Sequence, residues 1–508
     1  MERNRKVKNL EELAKLLASL RADGKKVVLC HGIFDLLHIG HIRHFEQAKQ
    51  LGDILVVTVT PDKHVNKGPH RPAFTDNLRA ESIGALDCVD YVAVNNWPTS
   101  VETIKLLRPS IYAKGSDYRD ARKDHTGKIT EEEAAVKSVG GDIAFTEDIT
   151  FSSSNLLNKY MPVFPQEVTD YLAGFSKKYT ADNILKYLEN ARALKVLVIG
   201  ETIIDEYQYC HIIGMSAKEP VLAAQYVSVD KFAGGILAVG NHVANFCDRV
   251  GLLTFLGSED SQEDFVQERT GSNVEKIFLY KGKSPTIVKR RFIENYLLTK
   301  LFEVYMINDE ELSQVENEAF CHKLSVLLPL YDVVIVADYG HGMMTKEAIS
   351  VICDKARFLA INTQANAGNR GYNTIYKYPR ADFVSIAEHE IRLEFRNSKG
   401  DLKDMAVALS QKTGNSRVMV TLGKRGCLGY SKDDGFFEVP AFTQHVVDRI
   451  GAGDALLSLT ALCVALQAPM EVVGFVGNVV GAEAVQIIGN KTSIERASLF
   501  KHIVSLLK

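Results

Sequence analysis

The stretch VVLCHGIFDLLHIGHIRHFEQAKQLGD, residues 27–53, decides how the first part of the chain folds. Four apolar residues, Val27 to Cys30, lead into a turn rich in glycine and histidine, and a helical pattern then runs to a second apolar segment, DILVVTVT at 53–60. Strand, turn, helix and strand in that order are a βαβ unit. The rhythm continues outward through VDYVAV (89–94), the helical SVETIKLL (100–107), SIYAKG (110–115), a helix near 131–139 and DIAFTE (142–147). A parallel sheet covered by helices follows, closed near residue 165. Residues 166–193, which follow two prolines, read as a linker helix. A second series starts at KVLVIGETIID (195–205) and runs through VVIVADYG (333–340), FLAINT (358–363), DFVSIAE (382–388) and VMVTLG (418–423). The fold class is therefore α/β twice over: a Rossmann-like domain at 1–165, the linker at 166–193, and a larger α/β domain at 194–508.

Composition narrows the function classes. At 508 residues the chain exceeds one hydrophobic core, and 46% hydrophobic with 24% charged residues is ordinary globular usage. Sixty Lys and Arg against sixty-three Asp and Glu give a net charge of −3. No global positive field exists for nucleic acid, which is excluded as a partner. The eight cysteines form no CxxC pair and sit mostly in apolar runs, as buried thiols of a cytoplasmic protein do. The opening MERNRKVKNLEELAKLLASL is charged and amphipathic, and no later run reaches about eighteen apolar residues. Neither secretion nor membrane contact is expected.

In the first domain Gly32, Phe34, Asp35, His38, Gly40 and His41 lie between the first strand and its helix. A helix start favours anions, and two imidazoles three residues apart there suit charge that builds on a phosphate during displacement. A metal site or structural histidines would give the same HxxH spacing. The whole segment GIFDLLHIGHIRHFEQAKQLGD resembles the HxGH nucleotidyltransferases, and among them the cytidylyltransferase-like enzymes that activate sugar and alcohol phosphates. The resemblance spans nearly all of 26–160. It implies that His38 and His41 stabilise the α-phosphate and that Lys67 (VNKGPHRP) and Ser152, Ser153 and Ser154 (TFSSSNLLNKY) hold the departing phosphates. It further implies nucleotide contacts from Arg79 (NLRAESIG) and from Lys114, Gly115 and Asp117 (YAKGSDY), with Mg²⁺ and ATP or CTP. The stretch 119–135 is longer than in compact members, as a lid or a solvated loop.

In the second domain HVVDRIGAGDALLSLTALCVAL (445–466) places a Gly-Ala-Gly-Asp turn before an apolar helix. Backbone N–H groups of Gly451, Ala452 and Gly453 make an anion hole, and Asp454 is placed to accept the proton of an attacking hydroxyl. A glycine-rich cap with a stabilising Asp is the alternative. Residues 194–508 resemble the ribokinase-like, or PfkB, sugar kinases, in which this turn carries the catalytic base. The resemblance implies sugar contacts from Asp205, from Gly234, Gly235, Asn241 and Asn245 (AGGILAVGNHVAN) and from Asp338. It implies nucleotide contacts from Gly423, Gly426 and Asn478, and a water-mediated influence of Glu388 on Mg²⁺. Lys289 and Arg291 in TIVKRRFI alternate onto one face, toward a substrate phosphate or toward solvent. Four departures stand out, the first being Ser385 where the family's NxxE motif has asparagine. The GG-to-Asn spacing is about three residues longer than usual, DRI (448–450) precedes GAGD, and NTQANAGNRGYNTIYKYPRAD (362–382) replaces a short loop.

A kinase joined to a nucleotidyltransferase resembles the bifunctional heptose-phosphate kinase/adenylyltransferases, with the domain order inverted. The resemblance implies ATP-dependent phosphorylation of a sugar or sugar phosphate, and nucleotidyl transfer from ATP or CTP to a sugar 1-phosphate. Alternatives are CDP-alcohol synthesis or one domain that only binds nucleotide. Expected partners are small sugars and nucleotides, and the ribokinase-like resemblance implies a small β lid in the second domain and a homodimer through the kinase domain.

Overall fold

A computed structural model describes residues 6–65, 71–115, 128–146, 164–414, 416–443 and 445–507. The chain forms two compact units, Met1–Pro165 with Ala497–Lys508, and Gln166–Arg496.

The first unit is built on β1 (Val27–Gly32), β2 (Ile54–Val59), β3 (Tyr91–Val94), β4 (Ile111–Gly115) and β5 (Asp142–Thr146), in the order β3-β2-β1-β4-β5. Every pairing is parallel. Successive β1 residues point to opposite faces, so Val28 and Cys30 enter one apolar core and Val27 and Leu29 another. The helix Ile39–Lys49 contributes Phe45 and Ala48 to the first core, and Leu10–Ala22 contributes Leu10, Leu13 and Leu17 to the second. A sheet buried on both faces is why these strands read as unbroken apolar runs. Strand order reverses between β1 and β4, and the carboxyl ends there open the crevice where α/β sheets bind ligands.

The second unit has a nine-stranded sheet, β10-β9-β6-β13-β14-β15-β16-β17-β18. Its members are β6 (Lys195–Gly200), β9 (Arg249–Gly257), β10 (Val274–Lys281), β13 (Val333–Asp338), β14 (Leu359–Thr363), β15 (Phe383–Ala387), β16 (Arg417–Thr421), β17 (Cys427–Ser431) and β18 (Gly435–Val439). Pairing is parallel from β10 to β16, and β17 and β18 close the edge antiparallel. A separate sheet, β12-β11-β7-β8, stands over the carboxyl ends of these strands. It comprises β7 (Thr202–Met215), β8 (Leu222–Gly235), β11 (Ile287–Glu294) and β12 (Thr299–Met306). This is the β lid. The β7–β8 hairpin leaves the main sheet one residue after β6 and returns at Gly235 to start the helix Ile236–Ala244. The 166–193 region forms two helices, Gln166–Lys178 and Ala181–Asn190, the second with a Thr180–Asn183 capping box.

Candidate functional site

In the first unit the turn after β1 is tightly organised. Phe34 adopts φ +49°, and its ring meets His41 edge-on at 5.2 Å and Phe45 at 5.0 Å. A side chain at Gly32 would run into the Phe34 ring at 2.8 Å. His38 caps the helix Ile39–Lys49 with extended backbone, Gly40 is the second helical residue, and the His38 and His41 rings stack at 3.9 Å. The two imidazoles therefore form one slab at a helix start, as the spacing predicts.

Other residues expected to contact nucleotide have these partners within the unit. Arg79 is buried and donates to the carbonyls of Phe74, Ile33 and Thr60 (2.9, 2.5 and 2.9 Å) and to Asp62 (2.5 Å), so it braces three loops. Asp35 accepts the N–H groups of Ala73 and Phe74 at 2.6 and 3.2 Å. Lys114 forms a buried ion pair with Glu132 at 2.8 Å, and Glu132 also takes the Ser100 hydroxyl. Gly115 ends β4. Lys67, Asp117, Ser152, Ser153 and Ser154 lie outside the described residues.

In the second unit Asp454 stands on the first turn of the helix Ala452–Ala465, whose buried residues run from Asp454 to Val464. Gly451 caps it with φ +81°, and a Cβ there would lie 2.0 Å from Asn490 Oδ1, so only glycine fits. The helix-start N–H groups that follow have no intrahelical acceptor and face the turn. Tyr339 Oη and Gln364 Nε2 both donate to Asp454 Oδ1, at 3.0 and 2.8 Å. Burial pushes the Asp454 carboxyl up to about 7, Asp205 adds to that, and the two donors and Lys289 oppose it.

Asp205 of β7 is clamped by Arg291 of β11, and its Oδ2 would be 2.1 Å from a Cβ on Gly234. Gly234 thus lets β8 pass the carboxylate, and Gly235, at φ +55°, lets it pass Glu201 O and Ile203. Arg291 also holds Glu303 at 2.9 Å, so its guanidinium bridges two carboxylates of the lid. Lys289 differs. It is 8% exposed, burial lowers its pKa, and no acceptor among the described residues lies within hydrogen-bonding distance of its ammonium. Glu201, after β6, accepts the N–H groups of Tyr339 and His341 at 3.1 and 2.9 Å, and burial with Asp338 nearby raises it to about 6.

Five further candidate residues have partners within the unit. Asn241 donates to Arg269 O and accepts from Gly271 N, and Asn245 donates to Ser493 Oγ and Ile494 O, so both stitch loops. Asp338 is fully buried and taken by Tyr378 Oη, Lys377 Nζ and Gly340 N. Asn478 spends its amide on Cys427 Sγ and Gly474 O. Glu388 is gripped by Arg392 and Arg425. Among the described residues no group of three or more His, Cys, Asp or Glu is gathered as a metal centre. Gly423 and Gly426 flank a short turn after β16 with φ +61° and +94°. Beside the Gly451 turn a cleft of about 530 Å³ is lined by Lys300, Lys424, His445, Arg449, Leu298 and Asp448. Lys300 of the lid pairs with Asp448 at 2.6 Å, and Tyr207 Oη reaches the same carboxylate. Tyr339, Gln364, Glu201 and Lys300 are absent from the sequence reading.

Residues 193–497 match the family described as pfkB family carbohydrate kinase, and residues 29–167 match the cytidylyltransferase-like family. A bifunctional protein HldE from Geobacter sulfurreducens is 36% identical over 169 residues, which cover 33% of this chain and 33% of that protein. One from Citrifermentans bemidjiense is 45% identical over 115 residues, 22% of this chain and 24% of that protein. The chain thus spans about a third of the first of these relatives, and less of the second. Phosphofructokinase-2 from Escherichia coli, solved in complex with potassium, superposes with TM-score 0.51 at 14% identity over 62% of this chain and all of that one. A structure of the same enzyme with substrates and products gives 0.50 at 13% identity, with the same coverage. These likenesses establish the ribokinase-like fold. Among the described residues no helix is long and apolar enough to cross a membrane.

Proposed function

The chain belongs to the pfkB family of carbohydrate kinases and carries a cytidylyltransferase-like domain ahead of the kinase domain, and from that premise we propose that it is a bifunctional transferase. One unit phosphorylates a heptose-like sugar or sugar phosphate with ATP. The other transfers AMP or CMP from ATP or CTP to a sugar 1-phosphate. The observation that carries the reading is Asp454, buried behind the Gly451–Gly453 turn with Asp205 and Lys289 facing it.

In the kinase step the substrate hydroxyl gives its proton to Asp454 as its oxygen bonds to the γ-phosphorus, and the bond from that phosphorus to the β-phosphate oxygen breaks to release ADP. Lys424 and Arg449 line the cleft that receives the polyphosphate, and the helix start takes charge that develops on the transferring group. Lys289 meets an anionic group of the sugar substrate. Mg²⁺ enters as part of the nucleotide substrate. In the nucleotidyl step an ionised sugar phosphate oxygen attacks the α-phosphorus and pyrophosphate leaves, with His38 and His41 neutralising the added charge. Lys67 and Ser152 to Ser154 are assigned to the departing phosphates by the family pattern.

The protein works in the cytoplasm, which its eight free cysteines support. It is a homodimer through the lid, whose β7–β8 hairpin exposes Ile213, Met215, Leu222, Tyr226 and Val229. Light scattering of the wild type and of Tyr226→Arg checks the dimer, and a monomeric wild type contradicts it. The activities test the main reading: Asp454→Asn abolishes phosphorylation and spares pyrophosphate release, and His41→Ala does the reverse. Loss of both activities in either variant contradicts two independent catalysts.

A further inference from the structure

The segment 362–382, longer than the loop the sequence reading expects, has a place in the site. Gln364 follows β14 directly, and its side chain reaches Asp454. Its own N–H donates to Asp338 O at 2.9 Å, and its carbonyl accepts from Asn373 Nδ2 at 3.2 Å. Tyr339 is held just as firmly. Its N–H donates to Glu201 Oε2, and its carbonyl accepts from Asn366 Nδ2 at 2.9 Å and Asn369 Nδ2 at 2.8 Å. Three asparagines of one segment therefore fix the backbone under both donors. Both donors go to the same oxygen, and among the described residues no donor reaches Oδ2 within hydrogen-bonding distance.

We propose that Tyr339 and Gln364 are the positioning residues of Asp454: by donating to Oδ1 they pin the carboxylate and leave Oδ2 as the oxygen that takes the proton of the attacking hydroxyl. This rests on the reading of Asp454 as the base of a kinase. Two hydrogen bonds to one oxygen fix the carboxylate plane, so the second oxygen keeps one direction toward the acceptor. They also favour the ionised form, the form a base needs. The other groups that face Asp454 are Asp205 from β7, which opposes ionisation, and Lys289 from β11, which favours it, with Glu201 behind Tyr339.

The test needs no sugar. The carboxylic acid C=O band of Asp454, isolated by subtracting the infrared spectrum of the Asp454→Asn protein, is titrated in the full-length wild type, in Gln364→Leu and in Tyr339→Phe. Each variant removes one donor without adding charge, and either alone suffices if the other fails to fold. The expected result is a midpoint raised by about one to two pH units, the tenfold to hundredfold that a hydrogen bond to an ionised group is worth. A midpoint unchanged or lowered in a folded variant overturns the assignment. If Asp454→Asn still phosphorylates, the kinase reading fails and takes the positioning role with it. If phosphorylation needs Asp454 and the midpoint does not move, only the positioning role is lost.

Discussion

Asp454 is costly to the fold in a way that can be measured. Its carboxyl rises from an ordinary value near 3.8 to about 7, first because it is buried. A rise of about three pH units, at about 1.4 kcal/mol each, makes the ionised form cost the folded state about 4 kcal/mol. The sign follows from the direction. Below about pH 4 both folded and unfolded states hold the proton and the cost is absent. Between about 4 and 7 only the unfolded state ionises, so the cost grows with pH, and above about 7 it is complete. Asparagine keeps an Oδ1 that accepts from Tyr339 and Gln364 and removes the charge. Asp454→Asn should therefore melt higher than the wild type at pH 8, by several degrees and at most about 8 °C, since about 2 °C per kcal/mol suits a domain of this size. The gap should shrink at pH 5. Calorimetry measures it, and the transition of the second unit is the one that Trp97 fluorescence does not follow, because the single tryptophan lies in the first unit. Equal or lower stability of Asp454→Asn at pH 8 refutes the reasoning that this carboxylate is a buried charge kept for chemistry.

Other residues discriminate support from contact. Arg79→Ala leaves the carbonyls of Ile33, Thr60 and Phe74 without their buried donor, so the first unit should lose about 3–5 kcal/mol, read from the Trp97 unfolding midpoint in urea. Asn241→Ala should cost the second unit about 1–2 kcal/mol, through its bonds to Arg269 O and Gly271 N, and leave the acceptor KM unchanged in steady-state kinetics. Gly234→Ala drives a methyl into Asp205 Oδ2, so phosphorylation should fall at least tenfold while circular dichroism stays native.

Much of the fold is legible in the sequence because buried parallel strands are continuous apolar runs, as in VLVIG and VVIVAD. Only fragments of the lid are. β8 is exposed along Gln225–Lys231 and carries no clean alternation, and only TIVKRRFI reads as a strand there. The Gly451–Asp454 turn and the His38–His41 pair are local, so each stands in the sequence as one short motif. Tyr339 and Gln364 come from the ends of two other strands and meet Asp454 only in the folded sheet. The partners of the candidate polar residues are hidden from the sequence for one reason. Whether Arg79, Asn241, Asp338 or Glu388 faces a ligand or a neighbouring group depends on loops that pack far along the chain, and no local pattern encodes that.

The central claim is that one chain breaks nucleotides at two different phosphorus atoms. Phosphorus NMR of the wild type with ATP, CTP and Mg²⁺, against a panel of sugar phosphates and sugar 1-phosphates, tests it most directly. The account predicts ADP with one acceptor, from cleavage at the γ-phosphorus, and pyrophosphate with a sugar 1-phosphate, from cleavage at the α-phosphorus. Release of only one of these two products across the panel would contradict it.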